Sequence, residues 1–565
     1  MDRMGTKEVS TAREIMTTVD NELGLSQIRQ PRYGQTRRGL KSRHMQFMAI
    51  GGTIGTSLFL GIGSPLTIAG PLSLFLGFSL TGLAVYGMMQ CLGEMATWLP
   101  LPGAIPQYCA RFVDDALGFA VGWNNWYFYS IVLCLDISAA SIVVDYWPGA
   151  RHISPAVWIS ILIVLVLVLN VFAVDIYGEA EFLFASIKII TIVGLLILSV
   201  VIILGGGPNH DRLGFRYWNN PGAMKSFAPA TGDTGRFLGL LYVIIFASFT
   251  FGGIEMTAAS AGEAENPRRN IPKAVKRVSW RIGLFYILGS LALGMIVSSD
   301  DEHLLNAQES GAPGAARSPW VIGITNSGIT VLPSIINAVI LTSAVSSANA
   351  FLYTGSRGLF ALAQNGQAPK FFLRCTKRGV PIYCVLATSS ISLLTYLTLS
   401  VGGSKAFGWF ANLITTACLW AWMAICVAFL RFRKAQQVQG FDQREVGFKN
   451  RFQPYIAWCT LIFFTIILIF NGFTVFLKGR WNVDDFLVAY VGVPIFIVLY
   501  VFWKIVKRTR IRPLSEVDLQ TDKTDVDELE GTWEEPAPRN IVEKVSGHND
   551  PITSASPCLG NHHES

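Results

Sequence analysis

The sequences IGGTIGTSLFLG at residues 50–61 and FGGIE at residues 251–255 each place a glycine cluster inside a long apolar segment. Such clusters predict a break in a membrane-spanning helix, because glycine destabilises the interior of a helix. Non-helical backbone is tolerated at membrane depth only where it is buried in protein or lines a cavity. Two interrupted spans at corresponding positions in two halves of a chain are typical of a transporter's binding site. The pair therefore predicts a membrane transporter of a small polar solute.

The composition is that of a polytopic membrane protein. Of the 565 residues, 51% are hydrophobic and 15% are charged, whereas soluble domains carry about 25% charged residues. The mean hydropathy is +0.42. The net charge of +7 comes from clusters beside apolar segments, so no nucleic-acid partner is expected. The nine cysteines are scattered without a CxxC pair, which indicates packing residues rather than a metal site.

Twelve apolar segments are each near the ~20 residues that cross about 30 Å of hydrocarbon. The predicted spans are residues 46–70, 73–98, 118–146, 155–175, 182–205, 237–261, 281–298, 329–354, 380–400, 406–430, 454–477 and 485–505. Lysine and arginine concentrate on the cytoplasmic side of membrane proteins. With twelve spans, five basic clusters share one side, at residues 29–43, 268–277, 357–378, 431–451 and 504–512. We therefore expect both termini in the cytoplasm.

Further motifs accompany the two glycine clusters in a fixed order along the chain. They are GEM at 93–95, LPLPG at 99–103, GWNNWY at 122–127, DYW at 145–147, FRYW at 215–218, AGEAENPRR at 261–269, SRGL at 356–359, GQAPK at 366–370 and RGVP at 378–381. In this order and spacing, from about residue 39 to 510, the chain resembles the yeast and fungal amino acid permeases of the amino acid–polyamine–organocation superfamily.

The resemblance implies an all-α fold with 12 transmembrane helices and a five-plus-five inverted repeat, in which helices 1 and 6 are broken. The implied division is a cytoplasmic N-terminal tail (1–45), a first repeat (46–205), an extracellular loop (206–236), a second repeat (237–430), a cytoplasmic loop (431–453), two further helices (454–508) and a disordered cytoplasmic tail (509–565). It also implies secondary active import of amino acids across the plasma membrane, by proton symport with alternating access. The vacuolar membrane stays an alternative.

The breaks suggest how an amino acid zwitterion binds. A helix N-terminus carries a partial positive charge and a C-terminus a partial negative charge. We expect the substrate carboxylate at the backbone N–H groups of Gly55, Thr56 and Ser57, although the resembling family has glycine at the last position. The ammonium group should face the second break, at Phe251, Gly252, Gly253 and Ile254. Close helix packing is the alternative interpretation of these glycines.

Side-chain selectivity is expected from spans 3, 6, 8 and 10 around the same centre, with ordinary helix packing as the alternative for each residue. The candidates are Tyr129, Phe251, Ser346, Ser347, Asn349, Thr415, Thr416 and Trp420.

Three ionisable residues inside spans are candidates for proton coupling, since a buried charge in a membrane usually has a function or a partner. Lys188 lies in span five, where some relatives resemble sodium-coupled transporters with a lysine in place of the ion; a structural ammonium is the alternative. Glu255 directly follows the second break. Asp136 matches an acidic position of the family, but Cys134 stands where the family has proline.

Other classes of function are disfavoured. No P-loop, HExxH or GxSxG motif lies in the spans, so neither an enzyme nor an ATP-driven pump is expected. No cofactor or metal ion is expected either; the partners are an amino acid, a proton and the lipid bilayer. The polar tails are candidates for binding trafficking or ubiquitin-ligation machinery. Transport of γ-aminobutyrate, choline or a polyamine, and an amino acid receptor with little flux, stay open alternatives.

Overall fold

The computed structural model describes residues 55–101, 103–147, 149–150, 152–172, 174–256, 267–309, 318–376, 379–441, 448–521 and 523. The predicted N-terminal tail, the first half of the first glycine cluster and residues 524–565 of the predicted C-terminal tail lie outside the described residues. So does most of the motif at 261–269.

Every regular element in the described part of the chain is helical. The α-helices are α1 (Gly63–Ala69), α2 (Pro71–Trp98), α3 (Ala104–Phe112), α4 (Asp115–Val144), α5 (Pro155–Phe172), α6 (Val174–Ile203), α7 (Gly232–Thr250), α8 (Pro267–Arg281), α9 (Leu288–Ile296), α10 (Glu302–Glu309), α11 (Pro319–Asn326), α12 (Leu332–Gln364), α13 (Ile382–Ile391), α14 (Leu397–Val401), α15 (Gly403–Val438), α16 (Tyr455–Phe470), α17 (Val483–Tyr490) and α18 (Gly492–Lys507). π-helical turns at Ser57–Gly61, Trp218–Gly222 and Ile282–Ile287, and 3₁₀ turns at Lys370–Leu373, Ser392–Tyr396 and Phe473–Phe476, complete them.

Nine helical stretches among the described residues are long and apolar enough to cross a membrane, or ten if α17 and α18, bent by 42°, form one span. Ser57–Ala69 and Tyr455–Phe470 are shorter apolar helices. The prediction of an all-helical polytopic membrane protein is confirmed. The count of twelve spans and the inverted repeat stay predictions.

Helix α4 lies at the centre of the bundle. It packs most extensively against α12 and α15, and also contacts α3, α5 and α18. Nearly all of its apolar length is buried. A helix that is apolar all round fits only a position surrounded by other helices or lipid, and this central position makes α4 a wall of any site inside the bundle.

The outer helices present apolar side chains to the outside. Val164 on α5 and Leu183, Ile190 and Ile197 on α6 are all exposed. In a soluble protein, such a continuous apolar surface would be a binding or aggregation surface. Here it covers the helices expected to face lipid.

Residues 509–521 are packed against the helical bundle. Val517 and Leu519 are 2% and 1% exposed. The indole Nε1 of Trp98, at the end of α2, donates to the Leu519 carbonyl at 3.0 Å, and Gln439 Nε2 donates to the Val517 carbonyl at 2.8 Å. The expected disordered tail therefore does not begin at residue 509, because two apolar side chains and several main-chain acceptors hold this segment in place.

Asp114 connects the start of α4 to α18 through hydrogen bonds. Its carboxylate accepts hydrogen bonds from the Ala116 N–H at 3.1 Å and from Lys504 Nζ at 2.7 Å. Burial alone would raise the pKa of Asp114, but these two donors favour the ionised form and hold its pKa below the ordinary value. The first turn of α4 is thus capped by a carboxylate, which also suits the helix dipole.

Candidate functional site

The second glycine cluster interrupts the helix that the sequence predicts. Helix α7 ends at Thr250, and residues 251–255 form a series of turns. Within them the Gly252 N–H donates to the Phe249 carbonyl at 3.1 Å and the Met256 N–H donates to the Gly253 carbonyl at 3.1 Å. Gly253 has φ +90°, a conformation that favours glycine. The carbonyl end of α7 therefore stops inside the bundle.

The first glycine cluster is described from Gly55 onward. Helical structure starts after Thr56 with the π-helical turn Ser57–Gly61 and continues as α1. The N–H groups of a first helical turn have no partner within the helix and carry a partial positive charge. A helix therefore begins near the place where α7 ends.

One cavity lies between these two helix ends. It is lined by Gly55, Thr56, Ser57, Val132, Leu135, Asp136, Phe249, Thr250, Gly252, Ser347, Phe351 and Ile414. Its free volume is about 30 Å³, near that of a single water molecule. This volume is too small for an amino acid, so substrate binding requires the surrounding side chains to move apart.

Asp136 brings a carboxylate to the cavity. The residue is 1% exposed, and its Oδ1 accepts a hydrogen bond from Thr56 Oγ1 at 3.2 Å. Its Oδ2 accepts no hydrogen bond of normal geometry from the described residues, although the Ser347 hydroxyl on the same cavity wall interacts with this carboxyl group. A buried carboxylate oxygen without a donor is costly, and this one faces the space where a substrate cation or a proton would be stabilised.

Lys188 and Glu181 are both on α6, whereas Asp136 is on α4. Lys188 is 1% exposed, and so is Glu181. The Lys188 ammonium interacts electrostatically with both carboxylates, that of Glu181 more strongly than that of Asp136. Glu181 also receives the hydroxyl of Ser346 on α12, whose Oγ lies 2.9 Å from each carboxylate oxygen. We call Asp136, Glu181 and Lys188 the buried triad.

Glu181 is not among the residues predicted from the sequence, because the apolar stretch of the fifth predicted span begins at residue 182. The structure starts α6 at Val174. The signal was the spacing: seven residues are about two helical turns, so Glu181 and Lys188 lie on one face of the helix.

Glu255 is the last residue of the turns that form the second break. It is 4% exposed, and its Oε2 accepts a hydrogen bond from Trp422 Nε1 on α15 at 3.1 Å. It also interacts electrostatically with Tyr129 and Cys418. The structure therefore separates Glu255 from the buried triad and connects it to α15.

Several predicted binding residues do not line the cavity. Phe251 packs on Tyr286 at 4.5 Å between ring centroids, and Tyr129 packs beside Phe351. Gly253 and Ile254 belong to the turns but not to the cavity wall.

Thr416 lies away from the cavity, on the opposite face of α15. Its Oγ1 accepts a hydrogen bond from Asn471 Nδ2 at 2.9 Å, and its methyl group lies where a side chain on Gly492 would clash. Ile414, two residues earlier on α15, lines the cavity instead. Of the other selectivity candidates, Ser347 lines the cavity and Ser346 contacts Glu181.

Comparison with known proteins identifies the family. A family model described as amino acid permease matches residues 44–516. The chain belongs to the amino acid permease family. It is 46% identical to the proline-specific permease of Emericella nidulans, over 90% of this chain and 92% of that protein. It is 48% identical to a probable proline-specific permease of Schizosaccharomyces pombe, over 87% and 90%. The dicarboxylic amino acid permease of Saccharomyces cerevisiae is 39% identical over 88% and 82%.

Membership of the amino acid permease family confirms the family expected from the motifs. The relatives named above are fungal permeases rather than enzymes. The amino acid permease described here therefore transports amino acids, and the cavity between the two helix ends is the natural candidate for its substrate site.

Proposed function

We propose that this permease imports amino acids across the plasma membrane by proton symport with alternating access, with twelve spans, a five-plus-five inverted repeat and both termini in the cytoplasm. One observation carries the proposal: a helix N-terminus at Thr56 and the C-terminal end of α7 at Thr250 meet at one buried cavity. The two helix ends offer opposite partial charges, and an α-amino acid carries opposite charges at the two ends of a short backbone.

The substrate carboxylate is placed at the N–H groups of residues 55–57, and the ammonium group faces the second break at Gly252 and the Oδ2 atom of Asp136. The helix N-terminus supports this orientation because the positive end of a helix stabilises an anion. Asp136 supports it because its Oδ2 accepts no hydrogen bond of normal geometry from the described residues and is available to an ammonium group. An amine without a carboxylate would leave the first set of N–H groups unmatched.

Proline is the first substrate to test. Two of the relatives named above are proline-specific or probably so. The cavity wall supports a small apolar side chain, since it includes Val132, Leu135, Phe249 and Ile414, and Asp136 is the one charged residue among its described lining residues. A second carboxylate or a cationic chain on the substrate would be poorly solvated there.

Proton coupling is proposed at the buried triad, beside the cavity, and Glu255 is proposed to act in the inward path. A neutral substrate with one proton carries one positive charge inward, worth about 2.3 kcal/mol per 100 mV of membrane potential. That energy corresponds to about 50-fold accumulation.

The test is uptake of radiolabelled amino acids by cells that lack their own permeases. We expect accumulation of proline that increases at acidic external pH and collapses with a protonophore. Competition with γ-aminobutyrate, choline and polyamines tests the related-amine alternative. Binding at the cell surface without accumulation of any of these solutes would contradict the proposal and favour a receptor.

Ser57→Gly is expected to keep transport and to change selectivity. The Ser57 side chain is 7% exposed and lines the cavity at the position proposed for the substrate carboxylate. Removing its hydroxyl widens the cavity and deletes one hydrogen-bonding group. Competition of unlabelled amino acids against labelled proline measures the change, and an unchanged competition profile would assign Ser57 to packing.

Glu255→Gln is expected to abolish concentrative uptake while the protein still reaches the cell surface. Glutamine keeps an oxygen for the hydrogen bond from Trp422 Nε1 but cannot ionise. Accumulation with and without protonophore is the measurement. Trp422→Phe is the matched control, because it removes the same hydrogen bond and keeps the carboxylate. Loss of accumulation in Trp422→Phe, with accumulation retained by Glu255→Gln, would show that the hydrogen bond matters rather than the charge.

A further inference from the structure

We propose that Glu181 is the group that carries the coupled proton, with Lys188 as its permanently charged partner. This inference rests on the proposed proton symport and assigns the proton to one residue. Neither the glycine breaks nor the cavity wall identifies Glu181, because it lies outside the cavity, behind Asp136.

The first argument is the charge of the buried triad. Two carboxylates and one ammonium leave one negative charge in excess when all three are ionised. Helices α5 and α9, which also pack on α6, contain no charged residue between 155–172 or 288–296. The third neighbour, α12, contains one, Arg357, which lies eleven residues beyond Ser346 and stacks over the Tyr353 ring. Asp175 and Glu179 at the start of α6 have side chains outside the described residues. An uncompensated charge inside the membrane is costly. The triad is therefore neutral only when it holds one additional proton, which is the property required of a coupling site.

The surroundings of Asp136 and Glu181 differ, and this difference decides which carboxylate takes the proton. Asp136 accepts the hydroxyl hydrogen of Thr56 and lies beside the helix N-terminus that starts there. Both favour its ionised form. Glu181 receives the hydroxyl of Ser346, which has a single hydrogen to donate although its Oγ is 2.9 Å from both oxygens. The Lys188 ammonium acts more strongly on Glu181 than on Asp136. Asp136, however, has the hydroxyls of Thr56 and Ser347 and a helix N-terminus beside it, whereas Glu181 has the single hydroxyl of Ser346. We therefore assign the proton to Glu181, because the less stabilised carboxylate of a pair takes the proton.

The contact with Ser346 also suits a carboxyl group that gains and loses a proton. A serine hydroxyl donates one hydrogen and accepts at its lone pairs. It donates to the ionised Glu181 carboxylate, and when Glu181 is protonated it accepts from one oxygen while still donating to the other. The same geometry therefore serves both states without rearrangement of α12.

The position of Glu181 fits release toward the cytoplasm. On the proposed topology α6 begins at the cytoplasmic side, and Glu181 precedes Lys188 by seven residues, about 10 Å along the axis. An external proton adds to the Glu181 carboxylate and gives a neutral carboxylic acid. In the inward-open state the acid gives that proton to water and becomes a carboxylate again. Lys188 keeps its own proton throughout.

The decisive experiment compares Glu181→Gln with Ser186→Ala, a control on the same helix whose hydroxyl binds the Phe182 carbonyl. Two activities are measured at equal surface amounts: accumulation of labelled proline, and exchange of labelled for unlabelled proline without any gradient. We expect Glu181→Gln to lose the accumulation, about 50-fold at 100 mV, and to keep exchange, because its cluster is neutral without the coupled proton. Ser186→Ala should keep both activities.

Three outcomes would overturn the inference. Protonophore-sensitive accumulation by Glu181→Gln at the wild-type level would show that another group carries the proton. Loss of exchange together with accumulation would assign Glu181 a structural role. If Glu181→Gln does not reach the surface, Glu181→Asp decides: its shortened carboxyl moves away from Ser346, and an unchanged pH midpoint of uptake contradicts the proposal.

The wild-type protein tests the premise of the proposal, which is proton symport. If wild-type accumulation does not respond to pH or protonophore, proton symport itself is wrong. If it responds and Glu181→Gln responds equally, symport stands and only the assignment to Glu181 fails.

Discussion

Lys188→Ala is expected to abolish concentrative uptake of proline. The side chain is 1% exposed and its ammonium is the cation shared by Glu181 and Asp136. Without it the triad retains two carboxylates, and both must be protonated to avoid buried negative charge. Neither then cycles between states, so accumulation should fall from about 50-fold to equilibrium, on the scale of one charge per 100 mV.

The measurement is accumulation relative to surface amount, with Lys405→Ala as a matched control on an exposed lysine. Persistent accumulation by Lys188→Ala against a gradient would show that the buried triad does not couple the proton. The exchange assay, which needs no gradient, separates two causes of lost accumulation. Exchange persists if only the coupling is lost, and it disappears if the protein is absent from the surface.

Gly252→Ala is expected to reduce transport more than tenfold, because no space exists for the added methyl group. A β-carbon built at Gly252 lies 2.8 Å from Cys418 Sγ and 3.1 Å from the Phe249 carbonyl oxygen. Overpacking of this kind costs about 1–3 kcal/mol, and here the strain falls on the backbone turn between α7 and the cavity. If the strain destabilises the transport-competent state by about 1.4 kcal/mol, the population of that state falls tenfold.

The matched control is Gly194→Ala on α6, where an added β-carbon meets no atom within 4 Å. It should transport like the wild type. A further test adds Cys418→Ala to Gly252→Ala, since this removes the nearest obstructing atom and should recover part of the transport. Full activity of Gly252→Ala alone would mean that the break is not part of the substrate path.

The helical architecture and the second break were predictable from the sequence because both depend on local chemistry. Long apolar segments can only be buried or membrane-embedded, and glycine pairs mark the place where a helix ends. The predicted ends of the spans were less accurate: α15 continues to Val438 and α12 to Gln364, well beyond the apolar stretches, because amphipathic turns extend helices past the hydrocarbon.

The candidate site was predictable only in part, because residue spacing does not fix the rotation of a helix. Phe249 and Thr250 line the cavity whereas Phe251 turns toward Tyr286. Ile414 faces the cavity whereas Thr416, two residues away, faces Asn471. Residues two apart on a helix point in widely different directions. A small error in the predicted rotation of the helix therefore assigns the wrong one of the two residues to the cavity.

The contact of Glu181 with Ser346 joins positions 165 residues apart. Such a contact depends on how α6 and α12 pack against each other, and the sequence of neither helix encodes that distance by itself.

The packed segment 509–521 sets a practical boundary for anyone engineering this transporter. The last apolar helix ends at Lys507, and a truncation or a fluorescent tag placed there would look harmless. It would nevertheless deprive the Trp98 indole and the half-buried Gln439 amide of their acceptors, and a buried donor such as the Trp98 indole left without a partner costs about 1–3 kcal/mol. Reporter fusions should therefore start beyond residue 523, so that the membrane-proximal tail stays part of the folded transporter.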